Sequence, residues 1–264
     1  MSEATKILWS GLNGRTGREA MKQSLMANGA EIVMGLKRKK SGADDMNLGS
    51  SVTWASYEEG ADGLFGLINT MKLAGVQLVV DFSHPDVFER VVELAVRTHV
   101  PLISGTSGLS DRQLAMLYDA TNRIPVFRGG NFRFKVKKFI DEVVELAKTQ
   151  NGNFTLYENF YEGKSLPSET SRVIRRRIFE ATGKTIWVYS SANLPKKDLP
   201  CDWRIDLGTE LRNSLHCRTV GFDELAHDVL EIAKVMANKP VKKGELYDLD
   251  EIWEDLPVDV KIHA

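Results

Sequence analysis

Residues 6–17, KILWSGLNGRTG, are the stretch whose reading decides the fold. Ile7, Leu8 and Trp9 form a short apolar run of the kind carried by a parallel strand buried on both faces. The run stops at Gly11, where the chain must turn sharply with little room for a side chain. Gly14 and Gly17 follow, and Arg18 to Met26 reads as a helix. In such a unit Gly11 makes the turn, Gly14 lets a pyrophosphate approach the backbone and Gly17 lets helix and strand pack closely. The N–H groups at the helix start then face phosphate oxygens. Asn13, Arg15 and Thr16 share this loop and are read with the three glycines as cofactor contacts. The middle glycine of the usual dinucleotide fingerprint is absent, so a merely tight turn is the alternative. Position between a strand and a helix, close to the first residue, favours the cofactor reading.

The rest of the composition sets bounds. With 264 residues and 42% hydrophobic content the chain can build one large domain or two modest ones. Its 35 basic and 36 acidic residues leave a net charge of −1, which gives no bulk attraction for nucleic acid or an anionic membrane. Cys201 and Cys217 cannot form a disulfide framework and lack metal-ligand spacing, so no metal is expected and a reducing compartment fits. The opening MSEATK has no apolar signal segment, and no run approaches the roughly 18 apolar residues of a membrane span. The expectation is a soluble cytoplasmic protein with a small-molecule substrate.

Strands and helices alternate through the first half. Glu31 to Leu36 reads as a second strand and runs into Lys37, Arg38, Lys39 and Lys40. The end of this strand faces the adenosine ribose in a dinucleotide fold, where cationic residues suit a 2′-phosphate and an acid would suit a free hydroxyl. Lys37 and Arg38 therefore favour NADP(H) over NAD(H), against the alternative of a solvated charge run. After a short strand at Val52 to Trp54 come a buried strand at Val76 to Val80 and a turn, Asp81 to Pro85, in which Ser83 is placed to cap the helix Val87 to Thr98. Pro101 to Ile103 is a strand, residues 104–108 a small-residue loop, and Ser110 to Thr121 a helix with Ser110 and Gln113 in capping-box spacing. Pro125 to Phe127 is the next strand, leading through Gly129, Gly130, Asn131 and Phe132 into a helix ending near Lys148. This order predicts a doubly wound parallel α/β sheet of the Rossmann kind with its ligand beyond the C-terminal strand ends. Phe82, Ser83, Gly105, Thr106, Ser107, Asn131 and Phe132 lie at that edge and join the expected cofactor contacts.

These residues in this order resemble the dihydrodipicolinate reductase family, NAD(P)H-dependent enzymes of the diaminopimelate and lysine pathway. The resemblance rests on Gly11, Gly14, Arg15 and Gly17, on Val79 to Ser83, on Gly105 to Gly108, and on Asn131 with Phe132. It extends to residues 158–170, ENFYEGKSLPSET, and to Gly244, Tyr247, Asp248, Leu249, Ile252 and Trp253 near the end. The resemblance implies a Rossmann domain built from residues 1–130 and 238–264, a smaller α+β domain over 131–237 for substrate and assembly, and a homotetramer.

Residues 158–170 also depart from the family. The pattern there has a glutamate, two consecutive histidines, a lysine, an aspartate and Pro-Ser-Gly-Thr, the first histidine being thought to donate the proton. Glu158, Lys164, Pro167, Ser168 and Thr170 remain, but Phe160 and Tyr161 stand at the histidine positions, Glu169 replaces the glycine and the aspartate is lost. No histidine occurs between His99 and His216. A phenol, with a reference pKa of about 10, donates a proton at neutral pH only with help from a cation. Tyr161 with Lys164 is accordingly the expected acid pair, the alternative being that Tyr161 packs against the cofactor ring. Phe160, Lys164, Ser168, Glu169 and Thr170 are the expected substrate contacts. Glu169 either repels a dicarboxylate or points outward as a first-turn acid.

Beyond this segment, Phe154 to Tyr161, Thr185 to Tyr189, Trp203 to Leu207 and Glu210 to Thr219 read as strands of an antiparallel sheet. Residues 190–202 read as a loop with Cys201 incidental, and His216 reads as a satisfied sheet residue. Phe222 to Ala237 reads as an amphipathic helix that, as the resemblance implies, carries the chain back to the first domain. The leading expectation is a reductase passing hydride to a C=N or conjugated C=C of a small carboxylate-bearing substrate other than the family's usual one. Two alternatives stand beside it: an unmodified lysine-pathway reductase, and a non-catalytic NADPH sensor or scaffold.

Overall fold

A computed structural model of the chain describes residues 3–26, 29–37, 52–57, 61–164, 166–196, 199–207 and 214–263. Two compact units emerge, Met1–Gly129 with Phe222–Val258, and Gly130–Gly221 with Asp259–Ala264.

In the first unit the strands are β1 (Thr5–Ser10), β2 (Ala30–Lys37), β3 (Thr53–Ser56), β4 (Leu78–Asp81), β5 (Leu102–Ser104) and β6 (Val126–Phe127). They form one sheet in the order β3-β2-β1-β4-β5-β6, with every described pair parallel. Helices α1 (Arg15–Ser24), α2 (Ala61–Leu73), α3 (Pro85–Thr98) and α4 (Asp111–Ala120) make the crossovers. The order reverses between β1 and β4, which is where a doubly wound sheet opens a crevice for a ligand. Leu8, Met34, Leu36, Val79, Leu102 and Val126 from the sheet pack against Leu67, Met71, Phe88, Val91, Val92 and Leu117 from the helices. This is the expected Rossmann arrangement.

Several local expectations are corrected. Gly14 is the N-cap of α1, so the helix starts at Arg15 rather than Arg18 and Gly17 lies within its first turn. His84, not Ser83, caps α3 by accepting from the Asp86 N–H at 3.3 Å, because the Ser83 hydroxyl is engaged elsewhere. The capping box of Ser110 and Gln113 forms on α4. Helix α2, ADGLFGLINTMKL, has no counterpart in the sequence reading: Gly63 and Gly66 interrupt its apolar spacing, and burial of Leu67 and Met71 overrides their weak propensity.

The second unit contains α5 (Phe134–Thr149), β7 (Phe154–Tyr161), α6 (Glu169–Thr182), β8 (Trp187–Leu194), β9 (Cys201–Leu207) and β10 (Ser214–Thr219). Its sheet, ordered β10-β9-β7-β8, is mixed rather than antiparallel. β7 and β8 are parallel because α6 carries the chain back across the sheet, whereas β7 with β9 and β9 with β10 are antiparallel. β8 and β9 also take up both ends of the segment read as a loop over 190–202. Leu156, Phe160, Trp203, Ile205 and Cys217 meet Val136, Phe139, Ile140, Ile174 and Ile178 in its core.

Helix α7 (Asp223–Met236) belongs to the first unit and not, as expected, to the second. The reason is its packing on α1, where Gln23 Nε2 donates to the Asp223 carbonyl at 2.9 Å and the Arg15 guanidinium lies 4.8 Å from the Phe222 ring. The boundary is therefore at residue 222 rather than 238. The closing segment extends along β6, Tyr247 N–H donating to the Val126 carbonyl at 2.7 Å. Residues 259–264 group with the second unit, contrary to the expectation for 238–264.

Candidate cofactor and substrate sites

The glycine loop joins β1 to α1 at the switch point. Gly11 has φ +80°, and a Cβ there would lie 2.4 Å from the Phe82 carbonyl oxygen; at Gly17 it would lie 2.5 Å from the Leu12 carbonyl oxygen. Both contacts are with backbone, so neither position can yield to a side chain. Gly14 caps α1 with no side-chain hydrogen bond, and the first turn of the helix holds no acidic residue. Asn13 Oδ1 is buried without a partner, while Gly14 and Arg15 are exposed and Thr16 is buried. The bare helix start fits the phosphate oxygens of a nucleotide, and the unpartnered Oδ1, an acceptor, fits a donor such as a ribose hydroxyl. Lys37 ends β2 with its side chain outside the described residues, and Arg38 lies wholly outside them.

Across the switch point lies a hydroxyl network that the sequence reading did not single out. Ser10 and Asp81 are register partners on β1 and β4, and Ser10 Oγ donates to Asp81 Oδ1 at 2.7 Å. Ser83 Oγ donates to the same oxygen at 2.5 Å, and Thr106 Oγ1 donates to Oδ2 at 2.7 Å while accepting from the Ser83 N–H at 3.0 Å. The Tyr57 hydroxyl bonds Ser10 Oγ. Asp81 and Ser10 are fully buried. Burial pushes the Asp81 carboxyl above the usual carboxylate range against the pull of its Ser83, Thr106 and Ser10 donors, and burial with the Asp81 charge pushes the Tyr57 phenol well up. The signal available in the sequence was an acid closing the otherwise apolar strand LVVD.

Two neighbouring positions complete this edge. A Cβ on Gly105 would meet the Phe82 ring at 2.4 Å, and that ring stacks on Trp9 at 5.7 Å. Thus Phe82 serves as the wall that requires Gly105. Ser107 is exposed. Asn131 and Phe132 lie in the second unit: Phe132 is buried, and both ends of the Asn131 amide are engaged, Nδ2 donating to Thr170 Oγ1 at 3.0 Å and Oδ1 accepting from the Arg133 N–H at 2.8 Å.

The start of α6 is built on Glu158, 1% exposed. Its carboxylate accepts from the Ser168 N–H at 3.0 Å, from Ser168 Oγ at 2.6 Å, from Ser190 Oγ at 2.5 Å and from Ser171 Oγ. Ser168 in turn caps the helix by accepting from the Ser171 N–H at 3.1 Å. Ser168 and Thr170 are both buried. Glu169 points outward, its side chain 62% exposed and its carboxylate 3.8 Å from Arg172, which decides between the two orientations left open by the sequence. Arg176 and Arg177 pair with Glu180 and Asp141.

The expected acid pair is not assembled. Strand alternation puts Tyr161 on the face of β7 opposite Glu158 and Phe160. Its described contact with Lys164 is between backbones, the Lys164 N–H donating to the Tyr161 carbonyl at 3.3 Å. Lys164 is exposed, and its ammonium acts with Arg133 to favour the thiolate of Cys201, whose pKa burial nonetheless raises. Phe160, expected to touch substrate, is 1% exposed and packs edge-on against Trp203 at 5.3 Å, as a core residue. His216 is satisfied by Asp202 at 2.5 Å.

Comparison with known proteins agrees with this architecture. Residues 5–132 match the family model described as "Dihydrodipicolinate reductase, N-terminus". A 4-hydroxy-tetrahydrodipicolinate reductase of Thermomicrobium roseum is 30% identical over 182 residues, covering 67% of this chain and 66% of that protein's length, just under two thirds. Among solved structures, a dipicolinate-bound dihydrodipicolinate reductase from Paenisporosarcina sp. TG-14 has a TM-score of 0.63 at 20% identity, covering 95% of this chain and all of that one. The WlbA dehydrogenase of Thermus thermophilus, in complex with NAD and UDP-GlcNAcA, has a TM-score of 0.56 at 11% identity, covering 91% and 97%. At those identities the structures establish the fold, and no helix among the described residues is long and apolar enough to cross a membrane. With a doubly wound first unit carrying the family's N-terminal domain and a mixed-sheet second unit, the chain belongs to the dihydrodipicolinate reductase family.

Proposed function

We propose that the protein is a cytoplasmic NAD(P)H-dependent reductase that prefers NADP(H) and passes hydride to a C=N or conjugated C=C of a small, carboxylate-bearing substrate other than the family's usual one. The observation that carries this reading is the uncapped start of α1 at the switch point, with Asn13 Oδ1 unpartnered beside it. The cofactor supplies the hydride. Gly11, Gly14 and Gly17 keep the loop low enough for the pyrophosphate, the first-turn N–H groups of α1 bind it, and Lys37 and Arg38 meet a 2′-phosphate. In the second unit, Ser168 and Thr170 at the start of α6 hold a substrate carboxylate, and Glu158 fixes that turn. With Tyr161 on the other face of β7, Lys164 remains to carry the proton and orient the anion. Exposed Trp187, Tyr189 and Tyr157 on the open face of the second sheet support assembly, which we assign as a homotetramer.

Fluorescence titration with NADPH and NADH tests binding and preference, and turnover of cyclic imines and unsaturated acids, with dihydrodipicolinate included, tests the reaction. Light scattering of the eluted protein gives the oligomeric state. Absence of binding by either nucleotide would overturn the reading. The burial of Phe160 favours one second reading, a nucleotide sensor without turnover: tight NADPH binding with no substrate reduced, and no effect of Lys164→Ala beyond stability, would support it.

A further inference from the structure

The Asp81 network contains more charge than a purely structural knot needs. Its carboxylate is fully buried, yet its described partners are hydroxyls and one backbone N–H, all neutral. The two guanidinium groups bonded to members of the network do not neutralise it. Arg90 donates to the Tyr57 carbonyl, and Arg128 Nη1 donates to Ser104 Oγ and the Thr106 carbonyl, each at 3.2 Å. The donors are ordered toward the carboxylate: Thr106 Oγ1 receives the Ser83 N–H and passes its own hydrogen to Asp81. That direction suits the ionised acid.

Location gives the charge a use. In a doubly wound sheet with the order β3-β2-β1-β4-β5-β6, the adenosine half of a dinucleotide lies over β1 to β3 and the pyrophosphate at the β1 turn. The other half then extends over the ends of β4 and β5, the strands that carry Asp81, Ser83 and Thr106. The nicotinamide ring is cationic when oxidised and neutral when reduced, whereas the phosphates are the same in both forms. Burial raises the pH at which Asp81 ionises. Above that pH the anion beneath that half repels the phosphates equally and attracts only the oxidised ring, the low local dielectric letting it act without direct contact.

We propose that Asp81 is a specificity-determining charge that makes this chain bind oxidised nicotinamide dinucleotide more tightly, relative to reduced, than the same fold would without it. The proposal rests on the cofactor reading above. By linkage, the same preference makes bound reduced cofactor a stronger hydride donor.

The test is calorimetric or fluorescence titration of the full chain with NADP+ and with NADPH, above the pH at which Asp81 ionises, in wild type, Asp81→Asn and Ser10→Ala. The expected result is that Asp81→Asn shifts the ratio of the two Kd values about tenfold toward the reduced form, a change of about 1.4 kcal/mol. Ser10→Ala, which removes a donor but keeps the charge, weakens both forms alike. Asp81→Ser, also neutral, serves if Asp81→Asn does not fold. An unchanged ratio in a folded neutral variant overturns the proposal while leaving the cofactor reading intact. Failure of wild type to bind either form overturns both.

Discussion

Ser10 and Asp81 face each other across the switch point of the sheet, the hydroxyl donating to the fully buried carboxylate at 2.7 Å. Their contact ties the strand that precedes the glycine loop to the strand that leads into Phe82 and Ser83. It also has a pH signature. Burial chiefly, opposed by the Ser83, Thr106 and Ser10 donors, sets the folded Asp81 value above that of the unfolded chain. The fold thus holds this proton more tightly than the unfolded state does. The resulting stability is fully present below about pH 3.9 and is lost as pH rises through the folded value. Tyr57, the other titratable group of the network, is pushed upward and stays neutral across that window. Thermal melts should show Asp81→Asn gaining on wild type as pH rises from about 4 through the folded Asp81 value, whereas a constant offset would mean that Asp81 does not titrate differently in the two states.

The glycines separate into two kinds. At Gly17 an added Cβ would lie 2.5 Å from the Leu12 carbonyl oxygen and 2.8 Å from that of Gly11, so Gly17→Ala must displace the loop. Nucleotide affinity should fall by about tenfold or more, a loss of about 1.4 kcal/mol or more, read by titration. Gly66, within α2, has nothing within 4 Å of the same added atom. Gly66→Ala should therefore stabilise by about 0.4–1 kcal/mol in urea melts with affinity unchanged. If both substitutions behave alike, the loop geometry is not what holds the nucleotide.

Much of this was legible in local sequence, and the exceptions have one cause. β1, the glycine loop and the box at Ser110 and Gln113 announce themselves because their constraints are among near neighbours. Ser83 looked like a helix cap until Asp81 competed for its hydroxyl, and that competition exists because Thr106 and Ser10 arrive from distant strands. Likewise, the parallel partner of β7 is set by the α6 crossover, which strand pattern alone does not encode. Spacing alone pairs Tyr161 with Lys164, whereas strand alternation decides which face a side chain takes.

Glu158 tests how far the α6 start depends on one buried acid. Glu158→Ala strands the Ser168 and Ser171 hydroxyls and the Ser168 N–H in a buried setting, while the exposed Ser190 turns to water. Each unsatisfied group costs about 1–3 kcal/mol, and rotation of the hydroxyls recovers part of the sum. A loss of about 2–4 kcal/mol in urea unfolding is expected, with hydrogen-exchange protection lost first at the N–H groups of Ser168 and Ser171. Unaltered protection there would remove Glu158 from the account of the site.

The last prediction concerns Phe160, Tyr161 and Lys164, at or beside the positions where the family resemblance expects histidines. Phe160 is a core residue against Trp203, so Phe160→Ala should cost about 3–5 kcal/mol in unfolding and leave nucleotide affinity unchanged. Tyr161 lies on the opposite face of β7, so Tyr161→Phe should leave kcat and its pH profile as they are, for the substrate that the turnover panel identifies. Lys164→Ala should lower kcat and raise KM together, because the ammonium is assigned both to the substrate anion and to the proton. Lys164→Arg, which keeps the charge but cannot release a proton near neutrality, should restore KM and not kcat. Should Tyr161→Phe abolish turnover while Lys164→Ala is silent, the proton comes from the phenol after all, and the second unit must present the other face of β7 to its substrate.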